Sequence, residues 1–393
     1  MAGENMSCLL SEALLEDLLE RQERPILTEE TRAYYYGKDI LVTGGGGSVG
    51  SAICREMVRC HPRRLIIMDI SENNAYDLCR ELRAACDTEI IVEIGSVRDI
   101  ARLRRIFRRY KPAVVFHAAA HKHVPLMESS PEEAIKNNVL GTWNTLTAAR
   151  ETRVASFILV STDKAVRPSS VMGASKRLCE KIVLSAASGG ADFGGMVVSA
   201  VRFGNVMGSS GSVVPLFARQ IALGGPVTLT DRRVTRYFMT LREAAQLLMT
   251  AGAIAQSGDL LVLNMGQPVS ILSLAEHMIR RQGLEPGVDI PIQEIGLLPG
   301  EKLHEELLAD MTDLYTTAHD LIFVDRSERR ACSHTQVESI LKELRDALAV
   351  AELMAADDPA DEEKGRAIII EALRRAVPEY VPACLPKQVK KLD

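Results

Sequence analysis

Short apolar runs alternate with longer amphipathic stretches through the first two hundred residues. Asp39–Thr43 (DILVT), Arg64–Ile70 (RLIIMDI), Glu89–Ile94 (EIIVEI), Ala113–His117 (AVVFH) and Ser156–Val160 (SFILV) read as strands. Their near-continuous apolar character suits strands buried on both faces of a parallel sheet. Helical patterns fall between them at Ser51–Cys60, Ile100–Tyr110 and Pro131–Glu151. In the second of these, Leu103, Ile106 and Phe107 recur at helical spacing, so the arginines of Arg102–Arg109 (RLRRIFRR) form its wet face. Five strands interleaved with helices in this way predict an α/β fold with a doubly wound parallel sheet.

Beyond Met196–Phe203 (MVVSAVRF), the next strand, the rhythm becomes irregular. A polar Gly/Ser stretch, Gly204–Val214, is followed by Thr230–Thr240 (TDRRVTRYFMT). Leu260–Met265 (LLVLNM) is expected to return to the main sheet, and Gly296–Leu308 (GLLPGEKLHEELL) to pair a turn with a helix. The expected organisation is a helical segment over 1–36, with Leu9, Leu10, Leu14, Leu15, Leu18 and Leu19 at helical spacing and Pro25 as its stop. A sheet domain follows over 37–205, a smaller interleaved lobe over 206–326, and a helical appendage over 327–393.

A net charge of -5 offers no general attraction to nucleic acid or an anionic membrane. No apolar run reaches the roughly 18 residues that span a bilayer. The eight cysteines form no C-x-x-C pair. That argues against a zinc site or disulfide framework and for free thiols in a reducing cytoplasm.

The first strand runs straight into Gly44-Gly45-Gly46-Gly47-Ser48-Val49-Gly50. Gly44, Gly47 and Gly50 fit G-x-x-G-x-x-G, while Gly45, Gly47 and Gly50 fit G-x-G-x-x-G. Glycines there allow a tight turn and let backbone approach a pyrophosphate at the helix N-terminus. Asp69 ends the next strand, 19 residues after Gly50, a spacing that suits a carboxylate on the adenosine ribose. Strand, glycine loop, helix and acid together predict a Rossmann-type dinucleotide site. No Arg or Lys lies between Ile70 and Asp77 to meet a 2′-phosphate, so NAD is expected over NADP.

Chemistry is expected where Ser156–Val160 ends, in Ser161, Thr162, Asp163 and Lys164, ahead of a helix carrying Lys176. An acid and an amine side by side at the carboxyl end of a strand can exchange protons with one small molecule. Ala118, Ala119 and Ala120 are small enough for a flat cofactor to lie against them. His121 and His123 lack a third ligand at metal spacing, so no metal is expected.

Seven motifs carry a closer resemblance: VTGGGGSVGS (Val42–Ser51), HAAAHKHVPLME (His117–Glu128), STDKAV (Ser161–Val166), MGASK (Met172–Lys176), RFGNVMGSSGSVVPLF (Arg202–Phe217), TRYFMT (Thr235–Thr240) and PGEKLHEEL (Pro299–Leu307). With them the chain resembles the extended short-chain dehydrogenase/reductases, and within these the CapD-type nucleotide-sugar 4,6-dehydratases, from about Glu16 to Asp325. The likeness is to the catalytic portion of that family, with a fainter match at Val377-Pro378-Glu379-Tyr380. It implies a cytoplasmic, homo-oligomeric enzyme of polysaccharide biosynthesis acting on a UDP-sugar, UDP-N-acetylglucosamine foremost. Hydride would leave C4, water would be lost across C5 and C6, and hydride would return to C6. UDP-hexosamine 4-epimerase and a non-catalytic NAD- or nucleotide-sugar-binding regulator are the alternatives.

The resemblance also implies residue roles. Asp163 would protonate the departing C6 hydroxyl, Lys164 would act at C5, and Thr162 would bond the C4 oxygen. Lys164 would need a depressed pKa, which a desolvated site beside Lys122 or Lys176 could provide. The cofactor would lie against Gly44, Gly47, Ser48, Val49, Gly50, Asp69, Ser71, Ser96, Val97, Ala118, Ala119, Ala120 and Lys176. Substrate would meet Lys122, His123, Lys164, Asn205, Val213, Arg236 and Glu301. Three positions depart from the wider pattern: Met172 replaces the usual tyrosine base, Leu298 an arginine, and Ser96 an aspartate. Met172 leaves the acceptor of the C4 hydroxyl proton unassigned between Asp163 and Lys164.

Overall fold

The computed structural model describes residues 26–382 apart from 189–194, 309–312, 327–332 and 358–360. The leucine pattern at Leu9–Leu19 and its stop at Pro25 lie outside the described residues. Nine strands form the main sheet: β1 (Asp39–Thr43), β2 (Arg64–Asp69), β3 (Glu89–Ile94), β4 (Val114–His117), β5 (Ser156–Val160), β6 (Val197–Arg202), β7 (Asp259–Leu263), β8 (Leu314–Thr316) and β9 (Ile322–Asp325). Their spatial order is β8-β9-β7-β6-β5-β4-β1-β2-β3. Strands β1 to β7 pair in parallel, while β9 runs antiparallel to β7 and β8 antiparallel to β9. The 3-2-1-4-5-6 order is that of the Rossmann fold, and the order reverses between β1 and β4.

Alternating strand residues serve two cores. Leu41, Ile66, Val115, Phe157 and Leu159 face α4 (Ile100–Tyr110), α6 (Leu140–Glu151) and α7 (Val171–Ala187). Ile40, Val42, Ile67, Phe116 and Ile158 face α2 (Ser48–Val58), α3 (Glu72–Ala85) and α9 (Leu241–Ile254), with Tyr35 of α1 (Glu29–Tyr35) packed beside them. After α5 (Val124–Ser129), the expected helix over 131–151 is continuous but contains a π segment, Ala134–Val139, before α6. A third core joins α8 (Val213–Ala222) and α10 (Ile271–Arg280) to short strands at Val227–Leu229 and Ile292–Glu294.

Two placements differ from the expected pattern. Strands β8 and β9 return from beyond residue 313 to extend the main sheet antiparallel, a pairing that the irregular polarity of that segment concealed. No helix forms over 301–308; His304 instead bridges Thr235, which places the segment against strand Thr235–Arg236. Pro299 and Gly300, the latter with φ +78, turn the chain into that contact.

The appendage is a helical hairpin of α11 (His334–Asp357) and α12 (Glu362–Ala376). Its Leu341, Leu344, Leu348 and Leu373 enter the same core as α7. This explains why α7 is buried along nearly its whole length rather than on one stripe. Among the described residues no helix is long and apolar enough to cross a membrane.

Candidate active site

The glycine loop closes over the carboxyl end of β1, at the crevice where strand order reverses. Gly44 adopts φ +67, and a Cβ there would lie 2.7 Å from the Ala119 backbone. A Cβ on Gly50 would lie only 2.0 Å from the Gly44 carbonyl oxygen, so helix and turn can approach only as glycines. Gly47 caps α2 with no side-chain hydrogen bond, which leaves the helix N-terminus to serve an anion. Asp69, nearly buried at the end of β2, accepts the Gly46 N–H at 2.8 Å and the Ser71 N–H at 2.7 Å. Those bonds fix its carboxylate beneath the loop, with lone pairs remaining for ribose hydroxyls. This cradle fits a dinucleotide, with Ser48 and Val49 opening α2 and Ala118 and Ala119 forming the opposite wall.

Other residues expected around the cofactor are fixed locally. Ser96 accepts the Arg98 N–H at 3.2 Å, and Val97 is buried against Gly141. Lys176 is buried in α7 and donates to the Val160 carbonyl at 2.7 Å. Burial pulls its ammonium below the usual lysine range, against the opposing pull of Cys179 and Glu180.

The polar turn after β5 is the densest part of the site. Asp163 is wholly buried, and its N–H bonds the Phe203 carbonyl at 2.9 Å. Its Oδ1 accepts the Thr162 hydroxyl at 2.9 Å and the Lys164 ammonium at 3.0 Å, while Oδ2 is buried with no hydrogen-bond partner. Lys164 also donates to Asn205 Oδ1 at 3.0 Å and lies 3.5 Å from Glu305 Oε1. Burial alone would lower the Lys164 pKa, but Asp163 and Glu305 outweigh it and raise it above the usual range. The expected depression is thus reversed, because two carboxylates flank the amine while Lys176 is turned to a carbonyl. The positive neighbour acts instead on Lys122, whose pKa falls through burial first and Lys164 second. Met172 is buried in α7 and offers no proton acceptor.

The opposite wall comes from the smaller lobe. Arg236 donates to the carbonyls of Thr235, Leu303 and Lys302 and to Glu301 Oε1, at 2.8 to 3.0 Å. Glu301 also accepts the Thr230 hydroxyl and the Leu298 N–H. Both residues expected to meet substrate are therefore engaged with the turn, and a phosphate on Arg236 would exchange for Glu301. Lys164, Arg236, Leu298, Glu301 and Glu305 line a cavity of about 180 Å³. The Gly/Ser loop reaches back over the glycine loop, where the Ser210 N–H bonds Ser48 Oγ at 3.0 Å, and Gly211 packs on the His123 ring. Val213 opens α8 beside that loop.

Residues 40–327 match the family described as "Polysaccharide biosynthesis protein". The chain belongs to that family. It is 46% identical over 310 residues to "Capsular polysaccharide biosynthesis protein CapD" of Staphylococcus aureus, across 78% of this chain and 51% of that protein. The chain therefore spans about half the length of that relative. It is 36% identical over 282 residues to a UDP-glucose 4-epimerase of Rickettsia akari, across 70% of this chain and 79% of that one. Among solved structures, Pen from Bacillus thuringiensis is similar at 34% identity and TM-score 0.69, across 74% of this chain and 90% of that chain.

In this member of the family, Glu305 is the residue of the site that sequence reasoning missed. It lies in PGEKLHEEL beside Glu306, and nothing in the pattern separates the two. The fold does: the Glu305 side chain is 4% exposed against Lys164, whereas the Glu306 side chain is 42% exposed near Arg167. Its carboxylate is thus held between the Lys164 amine and the Arg236 guanidinium, 3.5 Å from the first and 3.8 Å from the second.

Proposed function

We propose that this chain catalyses NAD-dependent 4,6-dehydration of a UDP-N-acetylhexosamine, UDP-N-acetylglucosamine foremost, giving a UDP-4-keto-6-deoxy sugar for polysaccharide assembly. The observation that carries this reading is the Thr162-Asp163-Lys164 turn, with a buried, unpartnered carboxylate oxygen beside an amine at the end of β5. Likeness to CapD supports the polysaccharide role, and likeness to the Rickettsia akari epimerase supports a UDP-sugar. An epimerase has no use for an acid at C6, the role read here for Asp163, whose buried Oδ2 has no hydrogen-bond partner.

Bound NAD, held by Gly44–Gly50 and Asp69, supplies reversible two-electron transfer to the sugar. The protein's own residues handle the protons. Oxidation at C4 makes the C5 proton acidic. Lys164 as a free amine takes that proton, while Asp163 gives one to the C6 oxygen, which leaves as water. Thr162 orients the C4 oxygen. Return of the C5 proton by the same amine leaves the C5 configuration retained.

Incubating purified protein with UDP-N-acetylglucosamine and following product mass tests the reading. Loss of one water is the expected result. Unchanged mass with a new 4-epimer, or binding without turnover, would sink it. Asp163→Asn should abolish water loss and still bind NAD.

A further inference from the structure

We propose that Glu305 is a proton-holding residue of this site, taking the Lys164 ammonium proton so that Lys164 can act on C5 while Asp163 holds the proton destined for water. The inference rests on the dehydratase reading above and follows from a proton count. Dehydration removes one proton from O4 and delivers one to O6, and the C5 proton leaves and returns. When the C5–H bond breaks, Asp163 must be protonated and Lys164 neutral.

The resting turn is an ammonium paired with a carboxylate. If the O4 proton passes to Asp163, the acid is ready, but Lys164 is still an ammonium and no base exists. Asp163 and Lys164 are one proton site short. A tyrosine at position 172 would be a further acceptor, but a thioether is not one.

The missing acceptor must lie beside Lys164 Nζ. The charged groups facing it are Asp163 on its own turn, Arg236 from the Thr235–Arg236 strand, Lys122 from the loop after β4, and Glu305. Arg236 cannot take a proton, and transfer to Lys122 would only move the positive charge between amines. Glu305 Oε1 lies 3.5 Å from Nζ, and its Oε2 is buried with no hydrogen-bond partner. Once Asp163 is protonated, one of the two carboxylates that raise the Lys164 pKa is gone while burial still disfavours the ammonium, so its proton can pass to Glu305, which also lies 3.8 Å from Arg236 Nε.

The step balances. An N–H bond of Lys164 breaks as an O–H bond forms on Glu305. The freed amine pair takes the C5 proton, the C5–H electrons form C5=C6, and the C6–O bond breaks as Asp163 protonates the departing oxygen. Once C6 has been reduced, C5 takes its proton back from Lys164. Glu305 then returns its own proton to the amine, restoring the resting charges.

The test compares the wild-type chain with Glu305→Gln and Glu305→Asp. It reads C4 oxidation by nicotinamide absorbance, C5 exchange with deuterated solvent, water loss by mass, and Lys164 labelling by an amine-reactive probe across pH. In Glu305→Gln, NAD binding and C4 oxidation should stay within about threefold, while C5 exchange and water loss fall about a hundredfold. That deficit should shrink as pH rises, because solvent then removes the ammonium proton, and Lys164 labelling should begin at lower pH. Glu305→Asp should recover part of the loss. Water loss at the wild-type rate, an unchanged labelling curve, or C4 oxidation falling in the same proportion as water loss would each overturn the role. Failure of wild type itself to lose water would instead sink the dehydratase reading, and the inference with it.

Discussion

Ser161 donates its hydroxyl to Oε1 of Glu180 at 2.7 Å, tying the residue before Thr162 to a buried ion network. Arg202 contacts both oxygens of Glu180 at 2.7 Å, and Arg177 bridges Glu180 Oε2 at 3.2 Å to Glu379 Oε1 at 2.7 Å. Lys181 holds the other Glu379 oxygen, and the Val381 N–H bonds the Pro168 carbonyl at 3.1 Å. The segment after α12 thus grips the strand end and the turn that carry Thr162, Asp163 and Lys164, some two hundred residues earlier in the chain.

Glu379→Gln should therefore loosen the turn from a distance. Hydrogen bonds between charged groups are worth about 1.5–3 kcal/mol each, so a loss of that order is expected in urea unfolding. Turnover should fall more than NAD affinity, because the cradle lies on other strands. An unchanged unfolding midpoint would refute the clamp.

Two glycines of the loop after β1 should respond unequally. Gly50→Ala drives a Cβ into the Gly44 carbonyl at 2.0 Å, whereas at Gly47 the same contact is 3.2 Å with ordinary φ -73. Overpacking costs about 1–3 kcal/mol, or about ten- to a hundredfold in NAD affinity, for Gly50→Ala. Gly47→Ala should lose much less. Equal losses in calorimetric titration would contradict the close approach.

Strands β1, β3 and β5 and helix α4 lie at the bounds their residue patterns predict: β1 and β5, buried at every position, leave nearly unbroken apolar runs, the edge strand β3 keeps an apolar centre between exposed ends, and α4 is strongly amphipathic. The glycine loop, Asp69 and the Thr162–Lys164 turn were legible for a related reason: each is local in sequence. Glu305, Glu180 and Arg202 were not, since their meaning depends on partners far along the chain. A buried Arg202 looks in sequence like any arginine at a strand end. The antiparallel β8 and β9 and the docked C-terminal hairpin also rest on long-range pairing that period counting cannot reach.

Leu298 sits at the cavity mouth, 41% exposed, where the family resemblance leads one to expect arginine. Its side chain offers nothing to a phosphate. Leu298→Arg should add a charge-assisted bond worth about 1.5–3 kcal/mol, tightening UDP binding about ten- to a hundredfold. Competition binding of UDP would detect it. Unchanged affinity would place the diphosphate elsewhere.

Acid should destabilise the fold in two windows. His117 is buried between Thr43 and Thr142, with its Nδ1 2.8 Å from one hydroxyl and its Nε2 3.0 Å from the other. Thr142 spends its own hydrogen on the Asn138 carbonyl at 2.6 Å, so Nε2 must carry the imidazole proton and donate. Burial, then Lys176, push the His117 pKa down from 6.5 to about 3. Its folded pKa lies below the unfolded one, so the neutral ring's contribution is full above pH 6.5 and is lost as pH falls toward 3. Glu379 opens the second window. Burial would raise its pKa, but Arg177, backbone hydrogen bonding and Lys181 hold it at about 2 against 4.5. Its contribution is present above pH 4.5 and is lost as pH falls toward 2. Urea midpoints should therefore begin to fall below pH 6.5, with His117 giving at most about 1.4 kcal/mol per pH unit, and fall further below pH 4.5. His117→Gln should flatten the first window and leave the second. Equal slopes in both proteins between about pH 6 and about pH 5 would remove His117 as the cause.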